Sequence, residues 1–201
     1  MNHPGSQGEL ELQKKYNTSN SANSFYNSQM FDLLNPEMQK FIEDQEMVFL
    51  STADSKGECD ASFRAGPKSF IKVLDNKTLA FPEFKGNGVM ASLGNISENP
   101  QIGLMFIDFC KSSIGLHVNG KAKIITEKEA GQLVNPLDKA EAGKDGQHKT
   151  KLWIEVKVEE AFIHCSKHIP RLQKKDKTIH WGTDDEKLKG GDFFNTKGCK
   201  S

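Results

Sequence analysis

The chain has no excess of charge of either sign, no long apolar run and no closely paired cysteines. Lysine and arginine together number 27, and aspartate and glutamate together also number 27, so no net field attracts nucleic acid or an anionic membrane. No stretch approaches the roughly 18 consecutive apolar residues of a membrane-spanning helix, and the N-terminus has no basic region followed by an apolar core. We therefore expect no nucleic-acid partner, no membrane partner and a cytoplasmic location.

The spacing of the cysteines excludes the commonest metal and redox motifs. No two of them form a Cys-x-x-Cys pair, and long segments separate Cys59, Cys110, Cys165 and Cys199. Structural zinc ligands and redox-active thiols usually come as such close pairs. We expect no metal site, and we interpret the thiols as reduced and mostly structural.

A chain of 201 residues is long enough for one well-buried core with extensions. Residues 1–40 are predicted to form a polar N-terminal arm and a helical lead-in, with two short helices on either side of Pro36. Residues 41–165 are predicted to form the core domain, and residues 166–201 a polar, charged C-terminal extension.

Within the core domain, the apolar residues mostly follow the period of strands. The predicted strands are residues 47–53, 58–64, 70–74, 78–81, 101–108, 114–125 and 152–158, the last joined by 161–165. Helices are predicted at 89–99, which Pro100 stops, and at 126–134, where Thr126 and Glu129 form a capping box. Closely spaced strands with few helices between them indicate a mainly β protein with flanking helices (α+β), built as an antiparallel barrel.

A glycine-bearing turn, Lys85-Gly86-Asn87-Gly88, joins the fourth predicted strand to the first helix of the core domain. Glycines let the backbone approach a ligand closely, and the start of a helix leaves N–H groups unpaired at the positive end of the helix dipole. Lys85 adds a full positive charge beside them. The turn is typical of an anion site of phosphate size, and an ordinary solvated loop is the alternative for the turn taken alone.

Two further cations lie on the strands before this turn. Arg64 ends the second predicted strand and Lys72 lies on the third. If consecutive strands pair as neighbours, both cations converge with Lys85 at one end of the sheet. The planar fork of an arginine suits phosphate because it donates two parallel charge-assisted hydrogen bonds. Taken singly, each of the three cations is more often a solvated surface charge.

Several segments of the core domain resemble the pyridoxamine 5'-phosphate oxidase-like family of FMN-binding split barrels. They are residues 57–67, 70–75, 78–83, 86–87, 92–96, 99–100 and 117–120. The resemblance runs from about residue 41 to residue 165 and implies an antiparallel split β-barrel. It also implies a homodimer that holds FMN in clefts between its subunits, with an interface above about 1,200 Å² that Val118 and its strand neighbours help to line.

The resemblance also implies which residues bind the cofactor. Arg64 and Lys85 match the ligands of the FMN phosphate. The other matching positions would bond phosphate or ribityl oxygens or line the flavin ring, and they are Ser62, Phe70, Ile71, Pro82, Glu83, Gly86, Asn87 and Ser92. Lys72, which matches a position that meets substrate phosphate in the true oxidase, and His117 are the candidate substrate contacts. For His117 the alternative is a plain strand side chain near an interface.

The chain departs from the true oxidase at its C-terminus. It lacks the tryptophan-and-arginine signature that closes the oxidase's substrate site, so pyridoxamine phosphate is not the expected substrate, and no catalytic constellation stands out. The resemblance implies an FMN-dependent oxidoreductase of unassigned substrate, in which the flavin ring carries out hydride transfer. The alternative is a flavin- or haem-binding carrier or sensor without turnover. Deazaflavin or haem in place of FMN is the alternative for the cofactor.

Overall fold

The computed structural model describes residues 4–84, 86–133 and 152–180, together with Asp185, Leu188, Phe193 and Phe194. The helices are α1 (Gln7–Lys15), α2 (Ser19–Ser28), α3 (Pro36–Glu43), α4 (Ala91–Glu98) and α5 (Glu127–Leu133). The strands are β1 (Met30–Phe31), β2 (Met47–Ala53), β3 (Cys59–Ala65), β4 (Lys72–Asp75), β5 (Thr78–Glu83), β6 (Gln101–Ile107), β7 (Gly115–Thr126) and β8 (Leu152–His164). None of these helices has the length and apolarity to cross a membrane.

The strands form one antiparallel sheet in the order β3-β2-β6-β7-β8-β5-β4, and β1 also pairs with β8. Arg64 on β3 and Glu83 on β5 lie on strands five places apart in that order. A flat sheet would separate such strands by about 24 Å, because neighbouring strands lie about 4.8 Å apart. Instead, Arg64 Nη2 lies 3.0 Å from Glu83 Oε1, so the sheet rolls into a barrel. No strand pairing joins β3 to β5 among the described residues, so the barrel is split at that seam.

The interior of the barrel is one apolar cluster to which most strands contribute alternate residues. On β2, for example, Val48 and Leu50 are buried in this cluster while Phe49 between them faces outward. Phe81 of β5 and Phe106 of β6 are the largest of its completely buried side chains. The prediction of a mainly β, antiparallel split barrel with flanking helices is confirmed.

The predicted helical lead-in is correct after Pro36 and wrong before it. Asn35 accepts a hydrogen bond from the backbone N–H of Met38 at 2.8 Å, and Pro36 occupies the first turn of α3. Instead of a helix, Met30 and Phe31 form the short strand β1, paired with β8. The exposed hydrogen-bonding edge of another strand therefore overrode the helical spacing of the local sequence.

The other elements of the core domain follow the predicted pattern with small shifts. Thr126 and Glu129 form the predicted capping box, in which the Thr126 N–H donates to Glu129 Oε2 at 2.7 Å. The last two predicted strand segments form the single long strand β8. A register shift between Asn119 and Gly120 of β7 bends that pair of strands.

Candidate functional site

The inner face of β3 is polar, unlike the inner faces of its neighbours. Asp60, Ser62 and Arg64 stand on this face, because they pair in register with Thr52, Leu50 and Val48, which point into the barrel. An edge strand that presents a carboxylate, a hydroxyl and a guanidinium inward gives the seam of the barrel a polar lining.

Arg64 lies at the centre of this polar lining. Its Nε donates to Glu83 Oε2 at 3.0 Å and its Nη2 lies 3.0 Å from Glu83 Oε1, which is the two-pronged arrangement typical of arginine and a carboxylate. Its Nη1 donates to Ser62 Oγ and to the carbonyl oxygen of Phe63. The side chains of Arg64 and Glu83 are 19% and 17% exposed. The guanidinium of Arg64 thus lies at the seam, and the carboxylate of Glu83 already occupies two of its N–H donors.

The start of α4 contacts the same polar face of β3 at Asp60. The helix begins at Ala91, two residues later than predicted, after Met90 in a left-handed conformation with φ of 57°. The Ser92 hydroxyl donates to Asp60 Oδ2 at 3.2 Å, so a carboxylate lies near the positive end of this helix. In the turn before it, Asn87 Oδ1 accepts the backbone N–H of Val89 at 3.0 Å. Lys85, which is predicted to bind the phosphate, lies outside the described residues.

The remaining predicted cofactor contacts occupy different surroundings. The side chains of Phe70 and Ile71 are buried in the barrel core. Pro82 is buried on the outer face of β5, because side chains alternate along a strand and its neighbour Glu83 faces the seam. Gly86 lies exposed in the turn that follows β5.

The structure does not bring Lys72 to Arg64. Lys72 pairs in register with Ala80, and Ala80 belongs to a small outer cluster that α5 covers. Glu83 and Arg64 lie on the opposite face of the sheet. The expected convergence of three cations fails for Lys72 because the alternation along β4 and β5 turns its side chain outward.

His117 lies on the outer face of β7, away from the seam. Its Nε2 is 2.9 Å from Nδ1 of His164, and its ring stacks on Phe162 with the two centroids 4.7 Å apart. Burial lowers the pKa of His117, and the neighbouring His164 lowers it further. Sequence reasoning missed His164, because only the register of β7 against β8 places the two rings together.

The pKa of His117 predicts a loss of stability in mild acid. Because the folded pKa lies below the ordinary value of 6.5, the unfolded chain binds more protons as pH falls through that value, and unfolding is favoured. We expect the melting temperature to decline as pH falls below 6.5 and His117→Gln to reduce that decline. His168→Gln, on an exposed turn, is the control and should leave it unchanged. An equal decline in wild type and His117→Gln would contradict this assignment.

A row of apolar and aromatic side chains crosses the outer face of five strands. Register places them opposite one another, and this outer apolar row consists of Phe63, Phe49, Met105, His117 and Phe162. Phe63 is 51% exposed and Phe49 is 38% exposed. Val118, which was expected to line a subunit interface, is fully buried in the barrel core instead. The prediction is therefore wrong for Val118 itself, whereas its strand neighbour His117 faces outward.

The rolled antiparallel sheet and its polar seam define a split β-barrel. The chain belongs to the pyridoxamine 5'-phosphate oxidase family, since the sequence model of that family, Pyridoxamine 5'-phosphate oxidase, matches residues 34–165. The family predicted from the sequence is thereby confirmed. No protein of curated function matches the chain.

Several solved structures are similar to this chain. An FMN-binding protein from Syntrophomonas wolfei is 16% identical with a TM-score of 0.47, covering 77% of this chain and 96% of that one. HutZ, a haem storage protein from Vibrio cholerae, is 19% identical with a TM-score of 0.47, covering 65% and 94%. HupZ from Group A Streptococcus is 23% identical with a TM-score of 0.47, covering 65% and 93%.

Proposed function

We propose that the protein is an FMN-binding flavoprotein whose seam cleft holds the phosphate of the cofactor on Arg64, and that it acts as an oxidoreductase on an unassigned substrate. The observation that carries this proposal is the fork of Arg64, held with Ser62 at the split of the barrel, in a chain of the pyridoxamine 5'-phosphate oxidase family. Its location is proposed to be cytoplasmic.

The donors in the cleft have the chemistry that an FMN phosphate requires. A guanidinium supplies a bidentate, permanently charged donor, and the hydroxyls of Ser62 and Ser92 supply neutral ones. The partial exposure of Arg64 leaves a route for a ligand, while the barrel wall behind it keeps water away. The residues therefore fit the group, provided that the carboxylate of Glu83 gives up the fork of Arg64.

The remaining roles are proposed from the family resemblance. Arg64, Ser62 and Lys85 would hold the phosphate, and Asn87 and Ser92 would hold ribityl or phosphate oxygens. The backbone of residues 70–71 and 82–83 would border the ring, and the backbone N–H groups of residues 86–88 would donate to the phosphate. When bound, FMN supplies hydride transfer. The chain would orient the flavin, exclude water from one side of the ring and donate hydrogen bonds to it. The reaction therefore needs no acid or base from the chain.

The assembly that we propose is a homodimer joined through the outer apolar row. Phe63 and Phe49, at one end of this row, are exposed and mark an interaction surface. A two-fold pairing lets the same surface serve both subunits. Lys72 and His117 lie on the outer face, so they would reach a cofactor cleft of the partner subunit rather than their own. We retain them on that basis as candidate substrate contacts.

A charge placed in the outer apolar row should abolish the dimer. We expect Phe63→Glu to yield the mass of a single 22.4 kDa subunit by light scattering, because burying an unpaired carboxylate in an interface is costly. Leu133→Glu, at an exposed position in the last turn of α5 and outside the outer apolar row, is the matched control and should remain dimeric. A wild-type chain that is already monomeric at micromolar concentration would refute the dimer.

The absorbance spectrum of the purified protein tests the cofactor. Flavin bands that bleach on addition of NADH or NADPH would support a flavin oxidoreductase. Flavin bands that persist with both donors would favour a carrier or sensor. A Soret band would identify the cofactor as haem instead of FMN, and the spectrum of a deazaflavin would identify it as deazaflavin.

A further inference from the structure

The fork of Arg64 that suits a phosphate is already held by Glu83. Both ligands would use the same two N–H directions, because the Nε and Nη2 groups of arginine form one planar fork that matches either a carboxylate or a phosphate. Glu83 engages both groups at 3.0 Å. The two side chains come from strands that no backbone pairing joins, so this contact closes the seam through side chains.

We propose that Glu83 competes intramolecularly with phosphate for Arg64 and so sets how strongly the cleft prefers a phosphorylated ligand to an unphosphorylated one. The identity of that ligand as FMN rests on the proposed function. The competition between Glu83 and phosphate does not, since it follows from the shared fork alone.

The surroundings of Arg64 strengthen this effect. Glu83 is tethered on β5 and only 17% exposed, so little solvent screens its attraction to the guanidinium. A second carboxylate, Asp60, stands on the same inner face and accepts the hydroxyl of Ser92. An incoming phosphate therefore has to displace one carboxylate and approach another. A neutral riboflavin tail meets neither obstacle.

Replacement of Glu83 by the neutral isostere glutamine tests the competition. Glutamine fills the same space but presents a single carbonyl acceptor to the fork, so Glu83→Gln should tighten FMN by about ten- to hundredfold and change riboflavin little. The matched control is Glu159→Gln, which removes a carboxylate paired with Lys121 at 3.0 Å elsewhere on the barrel. It should change neither affinity. Both affinities are measured by calorimetric titration of the full chain.

Inorganic phosphate separates failure of this inference from failure of the flavin proposal. If neither variant nor wild type binds a flavin, but phosphate raises the melting temperature of Glu83→Gln more than that of wild type, the competition stands and the flavin assignment falls. If flavins bind and the ratio of FMN to riboflavin affinity is the same in wild type and Glu83→Gln, the competition is overturned and Glu83 is only a structural contact. Equal stabilisation of both proteins by phosphate would overturn it too.

Wild type alone provides a second test should Glu83→Gln not fold. Phosphate that displaces Glu83 changes the partner of the Arg64 Nε–H, so its NMR resonance should move on titration with inorganic phosphate and reach saturation. The exposed Arg171, whose guanidinium donates to the carbonyl oxygen of Lys111 at 3.1 Å, is the internal control. A stationary Arg64 resonance would overturn the proposal.

Discussion

Replacing Arg64 with alanine should weaken FMN binding by about ten- to hundredfold and riboflavin binding far less. The expected loss is large for two reasons. The bidentate donor to the phosphate disappears, and Glu83, which loses its partner, remains as an unpaired anion next to the phosphate. Riboflavin has no phosphate and should respond far less to both changes. The ratio of the two affinities, measured by calorimetric titration, is therefore the quantity that reports on the site.

Two variants place this result in context. Arg171→Ala removes the same charge from an exposed segment and should leave the ratio unchanged. Lys85→Ala should lower it in the same direction but more mildly, because an ammonium is a point charge on a flexible stem and the backbone N–H groups of the turn would remain. An unaltered ratio of FMN to riboflavin affinity in Arg64→Ala would refute the assignment of Arg64 as a phosphate ligand. Absence of flavin binding by wild type would refute the flavin proposal itself.

The second large effect is expected at Gly120, where β7 and β8 change register. A methyl group added there would lie 2.0 Å from the carbonyl oxygen of Lys157 and 3.2 Å from the Cα of Val158. Both are backbone atoms of the adjacent strand, which cannot move aside without breaking its pairing on either flank. We expect Gly120→Ala to lower the free energy of unfolding by about 3 kcal/mol or more, which corresponds to a melting temperature lower by roughly 6 to 12 °C.

Gly94 provides the matched control for that prediction. It lies exposed within α4, and a methyl group added there meets no atom within 4 Å. Because alanine is the better helix former, Gly94→Ala should raise stability by about 0.5 to 1 kcal/mol. Thermal or urea unfolding of both variants measures the difference. Equal stability of Gly120→Ala and wild type would show that the strands yield at this point.

The strands were predictable where local periodicity and tertiary packing agree. The alternation in residues 47–53 reappears as the inward and outward faces of β2, and the Thr126–Glu129 box starts α5 as expected. Each signal involves residues close together in the chain. The helix predicted before Pro36 failed because β1 forms only by pairing with β8, which lies far away in the sequence.

The residues of the candidate site divide in the same way. The sequence pointed to Arg64 and Ser62 through their residue types and the family resemblance, and the structure places the two side chains in contact. The sequence could not indicate that Glu83 binds the guanidinium of Arg64, or that His164 lies against His117. Both pairs join residues on different strands, and a shift of one position would have sent either partner to the other face.

The sequence by itself determined the family, the antiparallel strand pattern and the set of polar residues available at the seam, because these depend on composition, short-range periodicity and local motifs. Only the tertiary structure decided which face each residue occupies. Rolling of the sheet brought Arg64 to Glu83, while alternation sent Lys72 outward and Val118 into the core. The physical reason is that strand side chains change face at every residue, so the contacts across a barrel depend on the register of strands that are distant in the chain.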